Sequence, residues 1–377
     1  MTIPPAARCP CAAERFQQMK LQQLGWNGFF EAEWNSCDRN EGKPARVIAE
    51  QRGMWHVAGD FGEARAEASG KLRARADEGD NWPAVGDWVS LEGTPCRGLA
   101  ISEVLPRRTA MVRKAAGKRI KQQVLAANID IAFLVMALDN DYNPRRLERY
   151  LAQVWDCGAR PVLVLNKMDL CADVGSRVEE IERAAMGASV RAISAATGQG
   201  LSAVESQLKP GETAVLLGSS GVGKSSLVNR LLGSESQRVR EVREHDGRGR
   251  HTTTERQLLF TSSGAMIIDT PGLRELQLWD AQQGLEQAFG EIEELAQVCK
   301  FRDCTHHGEP GCAVEVAIRK GRVQHERLES HRKLQRELDF LKRKIDAGAR
   351  QKEKQRIKTL HREARDFYRQ RETSEDK

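Results

Sequence analysis

The sequence contains no apolar stretch that could cross a membrane. Its longest unbroken apolar run, residues 131–138, has eight residues, whereas a membrane-spanning helix needs about 20. The first twenty residues carry several charged side chains and lack the apolar segment of a secretory signal. We therefore expect a cytoplasmic protein with no membrane partner.

Disulfide bonds are not expected either, because the nine cysteines are an odd number and a reducing compartment keeps thiols free. Hydrophobic residues make up 40% of the 377 residues, charged residues 30%, and there are 32 glycines. These proportions exclude collagen-like and wholly disordered chains. A chain of this length corresponds to about two to three average domains.

The excess of positive charge is concentrated at the C-terminus. Residues 341–377 contain 13 Lys/Arg and 7 Asp/Glu, which accounts for the net charge of +6 of the whole chain. A basic segment of this kind indicates a polyanionic partner, although a solvated helix with a frayed end would look the same.

The region over residues 43–106 is predicted to be a small barrel. Short apolar segments separated by glycines predict five strands, at residues 46–49, 55–57, 64–68, 88–91 and 100–104. An OB-fold-like barrel is the best match, and an SH3-like barrel is the alternative. Residues 1–42 are predicted to be a flexible leader with one short element over 21–34, and the basic residues 107–121 a linker.

Strands and helices alternate over residues 122–282, which predicts an α/β domain with a mainly parallel sheet. The predicted strands are 131–137, 162–165, 190–193 and 214–217, the helices are 144–156, 178–186 and 224–232, and a hairpin pairs 257–261 with 265–268. A helical domain with a Cys/His cluster is expected over 283–340, followed by a basic tail over 341–377. The predicted fold class is therefore multidomain, an α/β domain between a barrel and a small helical domain.

Residues 218–225 match the phosphate-binding loop pattern GxxxxGK[ST] and lie between a predicted strand and a predicted helix, as that loop requires. Its glycines let backbone N–H groups surround phosphate oxygens, Lys224 neutralises charge, and Ser225 can bind Mg²⁺. The predicted nucleotide-binding residues here are Gly218, Ser219, Ser220, Gly221, Val222, Gly223, Lys224, Ser225 and Ser226.

Guanine recognition is predicted from Asn166-Lys167-Met168-Asp169, which directly follows an apolar strand. The Asp169 carboxylate can accept hydrogen bonds from N1–H and the 2-amino group of guanine, a donor pair that adenine lacks. Ser194 and Ala195 follow the next strand, and a backbone amide there could contact the guanine oxygen. Taken alone, the first motif could equally be a helix cap.

A third nucleotide motif is Asp269-Thr270-Pro271-Gly272 after another apolar strand. In such a DxxG motif the aspartate reaches Mg²⁺ through water and the Gly272 amide contacts the γ-phosphate. Residues 252–254 are three threonines, of which Thr253 is the candidate for completing the Mg²⁺ shell together with Ser225 and Asp269.

The order of these motifs differs from that of ordinary GTPases, in which the phosphate loop comes first. Here the guanine motif precedes the phosphate loop, so the domain is circularly permuted. With the barrel before it and the Cys/His cluster after it, the chain resembles the RsgA family of GTPases that depend on the small ribosomal subunit. The resemblance covers about residues 35–365. It implies binding to the small subunit and its rRNA late in assembly, subunit-stimulated GTP hydrolysis, and release.

The Cys/His cluster contains Cys299, Cys304, His306 and Cys312, three thiols and one imidazole within fourteen residues. Tetrahedral Zn²⁺ prefers these ligands, and a closed Cys₃His shell is typical of a structural site. His307 could be confused with His306, and the family pattern selects His306. Unligated core thiols are the alternative. The remaining cysteines lack ligand spacing, and metal binding is the less favoured alternative for the CxC pair of Cys9 and Cys11.

Intrinsic hydrolysis is expected to be slow, because Leu273 follows the DxxG motif where many GTPases carry a water-orienting glutamine. The resemblance implies that His251, just before the threonines, is the catalytic residue, while packing in a loop is the alternative. We expect a monomer that binds GTP and GDP. Two other functions remain open: a signalling GTPase that acts on a protein partner, and an RNA-binding protein that uses nucleotide only for stability.

Overall fold

The structure is a computed structural model, and it describes most of the chain. The described residues are 20–36, 42–51, 53–78, 82–94, 98–114, 122–139, 142–185, 187–233, 256–269 and 281–343. The predicted tail beyond residue 343 lies outside them. Among the described residues, no helix combines the length and the apolar character that crossing a bilayer requires.

The first described segment, residues 20–36, is folded, and the short element predicted over 21–34 lies within it. A 3-10 helix spans Leu21–Leu24, and helix α1 spans Gly28–Asn35. The side chain of Asn27 caps α1 by accepting a hydrogen bond from the Phe29 amide at 3.0 Å. Trp26 packs edge-on against the buried Trp88 of the barrel, with ring centroids 4.7 Å apart. Burying such large apolar side chains orders the segment.

The barrel has five strands and one helix. They are β1 (Lys43–Gln51), β2 (Met54–Gly59), β3 (Gly62–Ala68), α2 (Gly70–Glu78), β4 (Trp88–Thr94) and β5 (Gly98–Val104). The strands pair in the order β1-β2-β3-β5-β4, and β4 pairs again with β1, which closes the barrel. All five predicted strand segments lie within these elements, and the predicted OB-fold-like barrel is confirmed. The sequence did not predict α2.

A hairpin lies where a linker was predicted. Strand β6 (Ala110–Lys114) pairs antiparallel with β7 (Gln122–Ala127). Met111 of β6 is buried, but the high local charge of residues 107–121 concealed this strand in the sequence. Residues 115–121 lie outside the described part of the chain.

Among its described residues, the α/β region has six strands and four α-helices. They are β8 (Ile131–Ala137), α3 (Pro144–Cys157), β9 (Arg160–Asn166), α4 (Val174–Ala184), β10 (Ser189–Ala192), α5 (Leu201–Glu205), β11 (Thr213–Leu217), α6 (224–233), β12 (Arg256–Phe260) and β13 (Met266–Asp269). The order β10-β9-β8-β11-β13 is parallel throughout, and β12 joins β13 antiparallel, as predicted.

Both faces of this sheet are covered, which explains the continuous apolar strands. Every residue of β8 is buried. Leu134 packs with residues of α3 and α4, and Phe133 with residues of α5 and α6 on the opposite face. Helix α4 begins at Val174, four residues earlier than predicted, because the Asp173 side chain caps it by accepting from the Ser176 amide at 3.1 Å.

The barrel and the α/β sheet form one continuous eleven-stranded sheet, because β1 pairs antiparallel with β12 through Glu50 and Arg256. Behind this junction Arg46 is 1% exposed. It donates hydrogen bonds to the carbonyl oxygens of Leu24, Gly86 and Asn128 and to the hydroxyl of Thr213. Burial lowers the pKa of Arg46 to about 9. One side chain thus connects the leader, the barrel and the α/β region.

The C-terminal region is helical, as predicted. Its helices are α7 (Gln282–Ala288), α8 (Gly290–Gln297), α9 (Ala313–Arg319) and α10 (325–343). Helix α7 lies directly on α3, since a Cβ atom added at Gly284 would stand only 1.8 Å from the carbonyl oxygen of Ala152. A glycine is therefore required at this contact.

Candidate functional site

The phosphate-binding loop connects β11 to α6 and is packed too tightly for larger residues at two of its glycines. Gly218 has φ 146°, and a Cβ there would stand 2.2 Å from the carbonyl oxygen of Val135. Gly223 has φ 93°, and its Cβ would stand 2.2 Å from Nδ2 of Asn166. The loop backbone therefore rests directly on β8 and on the guanine motif.

Asn166 joins three of the predicted motifs. Its Nδ2 donates to the carbonyl oxygen of Val222 at 2.8 Å, and its Oδ1 accepts from the Ala195 amide at 2.9 Å. The residue is 2% exposed. The Asn166 side chain therefore holds the guanine motif in place relative to the phosphate loop and the Ser194-Ala195 segment.

The turn that carries Asp169 is anchored from both sides. The Met168 amide donates to the Ile193 carbonyl at 3.0 Å, and Lys167, at φ 64°, places its Nζ 2.6 Å from a carboxylate oxygen of Asp139. Asp169 itself is exposed. An exposed carboxylate on a fixed turn suits the recognition of guanine donors.

The Ser194-Ala195 segment is also fixed, but its two amides are not free. The Ser194 amide donates to the Gln199 carbonyl at 2.9 Å, and the Ala195 amide donates to Asn166. Arg230 of α6 holds the segment through the Ala195 and Ala196 carbonyls, at 3.1 and 2.7 Å. The prediction that one of these two amides contacts the guanine oxygen therefore does not fit this conformation.

Two cationic groups lie at the phosphate loop. Lys224 donates from Nζ to the carbonyl oxygen of Gly218 at 2.7 Å. Arg146, in the first turn of α3, donates to the Ser219 hydroxyl. The sequence predicted the helix over 144–156 but not the contact of its Arg146 with the phosphate loop. Ser225 and Ser226 are exposed at the start of α6.

Asp269 ends strand β13, which lies beside β11 with Val215 opposite Ile268. It therefore lies at the same carboxyl edge of the sheet as the phosphate loop, and Asn166 ends β9 at that edge. Ligands of open α/β sheets bind at this edge. The predicted residues His251, Thr252, Thr253, Thr254 and Gly272 lie outside the described residues, as does Leu273.

The four predicted metal ligands meet in one cluster, with all ligand atoms within 4.8 Å of one another. The Sγ atoms of Cys299 and Cys312 are 3.9 Å apart and stand 3.6 and 3.4 Å from Nδ1 of His306. In a tetrahedral zinc shell, bond lengths of about 2.0–2.3 Å put ligand atoms about 3.5–3.8 Å apart. The cluster, completed by Cys304, can therefore hold one metal ion, and His306 rather than His307 belongs to it.

Backbone amides donate hydrogen bonds to two sulfur atoms of this cluster. The Ala313 amide donates to Sγ of Cys299 at 3.3 Å, and the Glu315 amide to Sγ of Cys312 at 3.4 Å. Burial would raise the pKa of Cys299, but such amides and the neighbouring thiols lower it overall. Burial, with the positive charge of Arg332, lowers the pKa of His306 and so favours the neutral imidazole that binds metals.

Comparison with known proteins decides the family. A family profile described as RsgA GTPase matches residues 104–279. The small ribosomal subunit biogenesis GTPase RsgA of Syntrophotalea carbinolica is 42% identical over 360 residues, covering 93% of this chain and 99% of the relative. The chain belongs to the RsgA GTPase family. It is therefore a GTP-hydrolysing enzyme, and the resemblance seen in the sequence is confirmed.

Solved structures agree with the fold. YjeQ from Thermotoga maritima, known from a crystal structure, shares 28% sequence identity with this chain. The two structures match with a TM-score of 0.59 over 79% of this chain and 98% of that one. YloQ, described as a circularly permuted GTPase, is 24% identical with a TM-score of 0.58, over 80% and 96% of the two chains, and this likeness concerns the fold. The predicted fold class, including the permutation, is confirmed.

Proposed function

We propose that this protein hydrolyses GTP when bound to the small ribosomal subunit, and that hydrolysis drives its release late in subunit assembly. The observation that carries the nucleotide part is the Asn166 side chain, which ties the phosphate loop and the Ser194-Ala195 segment to the guanine motif at one sheet edge. The subunit as partner is supported by family membership and by the relative's name as a subunit biogenesis GTPase.

The phosphate end of GTP would lie on the loop of residues 218–225. Its backbone N–H groups and the N-terminus of α6 favour negative charge, and Lys224 would leave the Gly218 carbonyl to bind phosphate oxygens. Ser225 and Thr253 would hold Mg²⁺ directly and Asp269 through water. Bound there, Mg²⁺ supplies positive charge at the β- and γ-phosphates. The Gly272 amide would contact the γ-phosphate.

Asp169 would read guanine by accepting from N1–H and the 2-amino group, with its turn held by Met168 and Lys167. Asn166 would keep that turn in register with the phosphate loop. GDP would keep the guanine contacts and lose those to the γ-phosphate, so only the phosphate end distinguishes the two nucleotides.

The catalytic residue in this proposal is His251. Leu273 has no polar group to orient a water molecule, so a partner must position one before hydrolysis becomes fast. Contact with the subunit would bring His251 to the position from which it can orient the attacking water.

The Cys299, Cys304, His306 and Cys312 cluster would hold one structural Zn²⁺, since four N/S ligands leave no open position. The barrel, the β6–β7 hairpin and the basic tail over 341–377 would contact rRNA. We further propose that the protein acts as a monomer in the cytoplasm.

The test is GTP turnover measured with purified small subunits, with large subunits and without ribosomes. Stimulation by small subunits alone supports the proposal, and equal turnover in all three would contradict it. His251→Ala should keep GTP-dependent subunit binding but lose most of the stimulated turnover. Thr253→Ala should weaken both, because it opens the Mg²⁺ shell. His325→Ala, a histidine outside the proposed machinery, serves as the matched control.

A further inference from the structure

A cavity of about 350 Å³ lies where the barrel, the β6–β7 hairpin and strand β12 meet. Its wall includes Glu50, Trp55, Trp82, Gln123 and Arg256. The volume falls within the roughly 300–1,000 Å³ range of small-ligand sites. None of these residues belongs to the nucleotide edge or to the metal cluster described above.

The most unusual wall residue is Trp82, which is 43% exposed although it is a large aromatic residue. One face of its indole stacks on Trp55, with centroids 5.6 Å apart and an interplanar angle of 15°. Trp55 is anchored by donating from Nε1 to the Pro83 carbonyl at 3.0 Å, and Arg107 donates to the Trp82 carbonyl at 2.8 Å. Trp82 is thus a rigid aromatic platform with surface left for a second ring.

The polar side chains of the cavity can form hydrogen bonds with a flat heterocycle. Glu50 offers a carboxylate 3.9 Å from the guanidinium of Arg256, and Gln123 adds an amide that accepts from Nε of Arg113 at 3.1 Å. Arg113 and Arg256 outnumber Glu50, so the local charge is positive. Aromatic stacking beside cationic groups is how proteins hold unstacked bases of single-stranded RNA.

We propose that this cavity binds one unstacked nucleobase of single-stranded RNA, with the base stacked on Trp82. Guanine fits the polar groups best, because it presents O6 and N7 acceptors to Arg256 and N1–H and 2-amino donors to Glu50. The inference rests on the proposed contact with rRNA and adds its place and chemistry. Because Arg256 begins β12, three residues after Thr253, the bound base would lie beside the strand that follows the candidate Mg²⁺ threonine.

The test uses the full chain saturated with GDP, so that the nucleotide site is filled. The probe is a labelled five-nucleotide RNA with a central guanine, compared with the same RNA lacking that base, by fluorescence anisotropy. Trp82→Ala should weaken binding of the intact RNA by about 5- to 150-fold, the range of measured base–aromatic stacking, and should not affect the abasic RNA. Trp82→Phe should retain most of the affinity and controls for folding.

Two further variants sharpen the result. Glu50→Gln should reduce the preference for guanine over adenine at the central position, and Phe340→Ala, an aromatic residue 51% exposed on α10, should change nothing. Equal affinity of the wild type for intact and abasic RNA overturns the inference. Weaker binding of Trp82→Ala to small subunits but not to RNA would also overturn it, and would assign the cavity to an aromatic side chain of a ribosomal protein.

The proposed function is judged separately, by GTP turnover of the same wild-type preparation with small subunits. If turnover is stimulated but the RNA carries no base-dependent affinity, only the cavity inference fails. If no stimulation occurs, the proposed function fails whatever the RNA titration gives.

Discussion

The α/β sheet and the helical region that contains the Cys/His cluster differ in how their elements are stabilised. Strand β8 is buried along all seven residues, and apolar clusters cover both faces of its sheet. In the helical region α7, α8 and α9 have only seven or eight residues each. Helices this short are marginal in isolation. The short helices therefore depend on packing against the α3 side of the sheet, whose apolar cluster they share, and a metal ion in the Cys/His cluster would stabilise them further.

That contact is made by buried charges as well as by close packing. Arg327 of α10 is 8% exposed and donates to Glu148 of α3 at 2.9 Å, to Glu291 of α8, and to the Ala288 carbonyl at 2.7 Å. Arg149 makes a two-bond pair with Glu337 at 2.9 and 2.6 Å. Since α3 also carries Arg146 at the phosphate loop, one helix contacts both the nucleotide edge and the helical region that contains the Cys/His cluster.

The largest loss of stability is expected from Cys312→Ala, which removes a buried side chain of the Cys/His cluster. It should destabilise the helical region and leave the α/β sheet intact. Structural zinc sites contribute about 10–16 kcal/mol of apparent binding free energy that is also folding free energy. Elemental analysis should find the metal lost, and hydrogen exchange should find protection lost over residues 299–319. GTP affinity should stay unchanged.

The matched control is Cys171→Ala, which removes a half-buried thiol outside the cluster. Full metal content in Cys312→Ala, or loss of GTP binding along with the metal, would show that the two regions are not independently stabilised.

Arg327→Met tests the junction between the regions. Removing one partner of a buried ion pair typically costs about 3–5 kcal/mol, because the other charge stays buried without compensation. Denaturant unfolding should show a loss of this order, and Arg322→Met, at an exposed arginine, should show almost none. A variant as stable as the wild type would mean that packing around Gly284 alone holds the junction.

The stability of the Arg327→Met variant should fall as pH rises. Burial raises the pKa of Glu148, and the positive charge of Arg327 opposes that rise. Without Arg327 the folded-state pKa moves further above the unfolded value. The folded state then binds the proton more tightly, so stability is greatest at low pH and is lost as pH rises through the folded pKa. Glu148→Gln in the Arg327→Met background should abolish this dependence.

Asp169→Asn tests the nucleotide edge without disturbing either core. Guanine loses a carboxylate acceptor for its N1–H and 2-amino donors, which should weaken GTP binding by about 1–3 kcal/mol. Xanthine nucleotides should bind better, because their C2 oxygen can accept from the new amide. Isothermal titration with both nucleotides measures this. Unchanged GTP affinity would refute the assignment of Asp169, and Asp173→Asn, at the α4 cap, is the control.

The smallest effect is expected from deleting residues 344–377, which leaves α10 complete as far as the structure describes it. The deletion removes most of the basic excess of the chain. Affinity for small subunits should fall several-fold, and the slope of log affinity against log salt should become shallower as phosphate contacts are lost. GTP binding should not change. An equal salt slope with and without the tail would show that it makes no phosphate contacts.

The nucleotide and metal motifs could be read from the sequence because their chemistry depends on spacing along a short segment. Residues 218–225 needed only the apolar strand before them and the amphipathic helix after them. The metal ligands were predictable for the same reason, and the structure brings all four together. The strands of the α/β sheet were predictable because burial on both faces leaves continuous apolar runs.

Other features depended on partners far away in the chain. The sequence predicted a short element over 21–34 but not its partner in the barrel, Trp88, which packs against Trp26 and Phe30. Part of the predicted linker over 107–121 is strand β6. Its partner, β7, follows a highly charged stretch of sequence. Helices α2 and α5 are short, so their few apolar residues give no clear helical periodicity in the sequence.

The sequence by itself determined the family, the permuted order of motifs and the four residues of the Cys/His cluster, because each of these lies in local residue types and their order. Only the tertiary structure showed that the Asn166 side chain hydrogen-bonds to the backbone of Val222 and Ala195. It also showed that Arg46 joins three regions and that Trp82 lines a cavity beside Arg256. These are contacts between residues tens to hundreds of positions apart. Their formation depends on how sheets and helices pack, which no local pattern encodes.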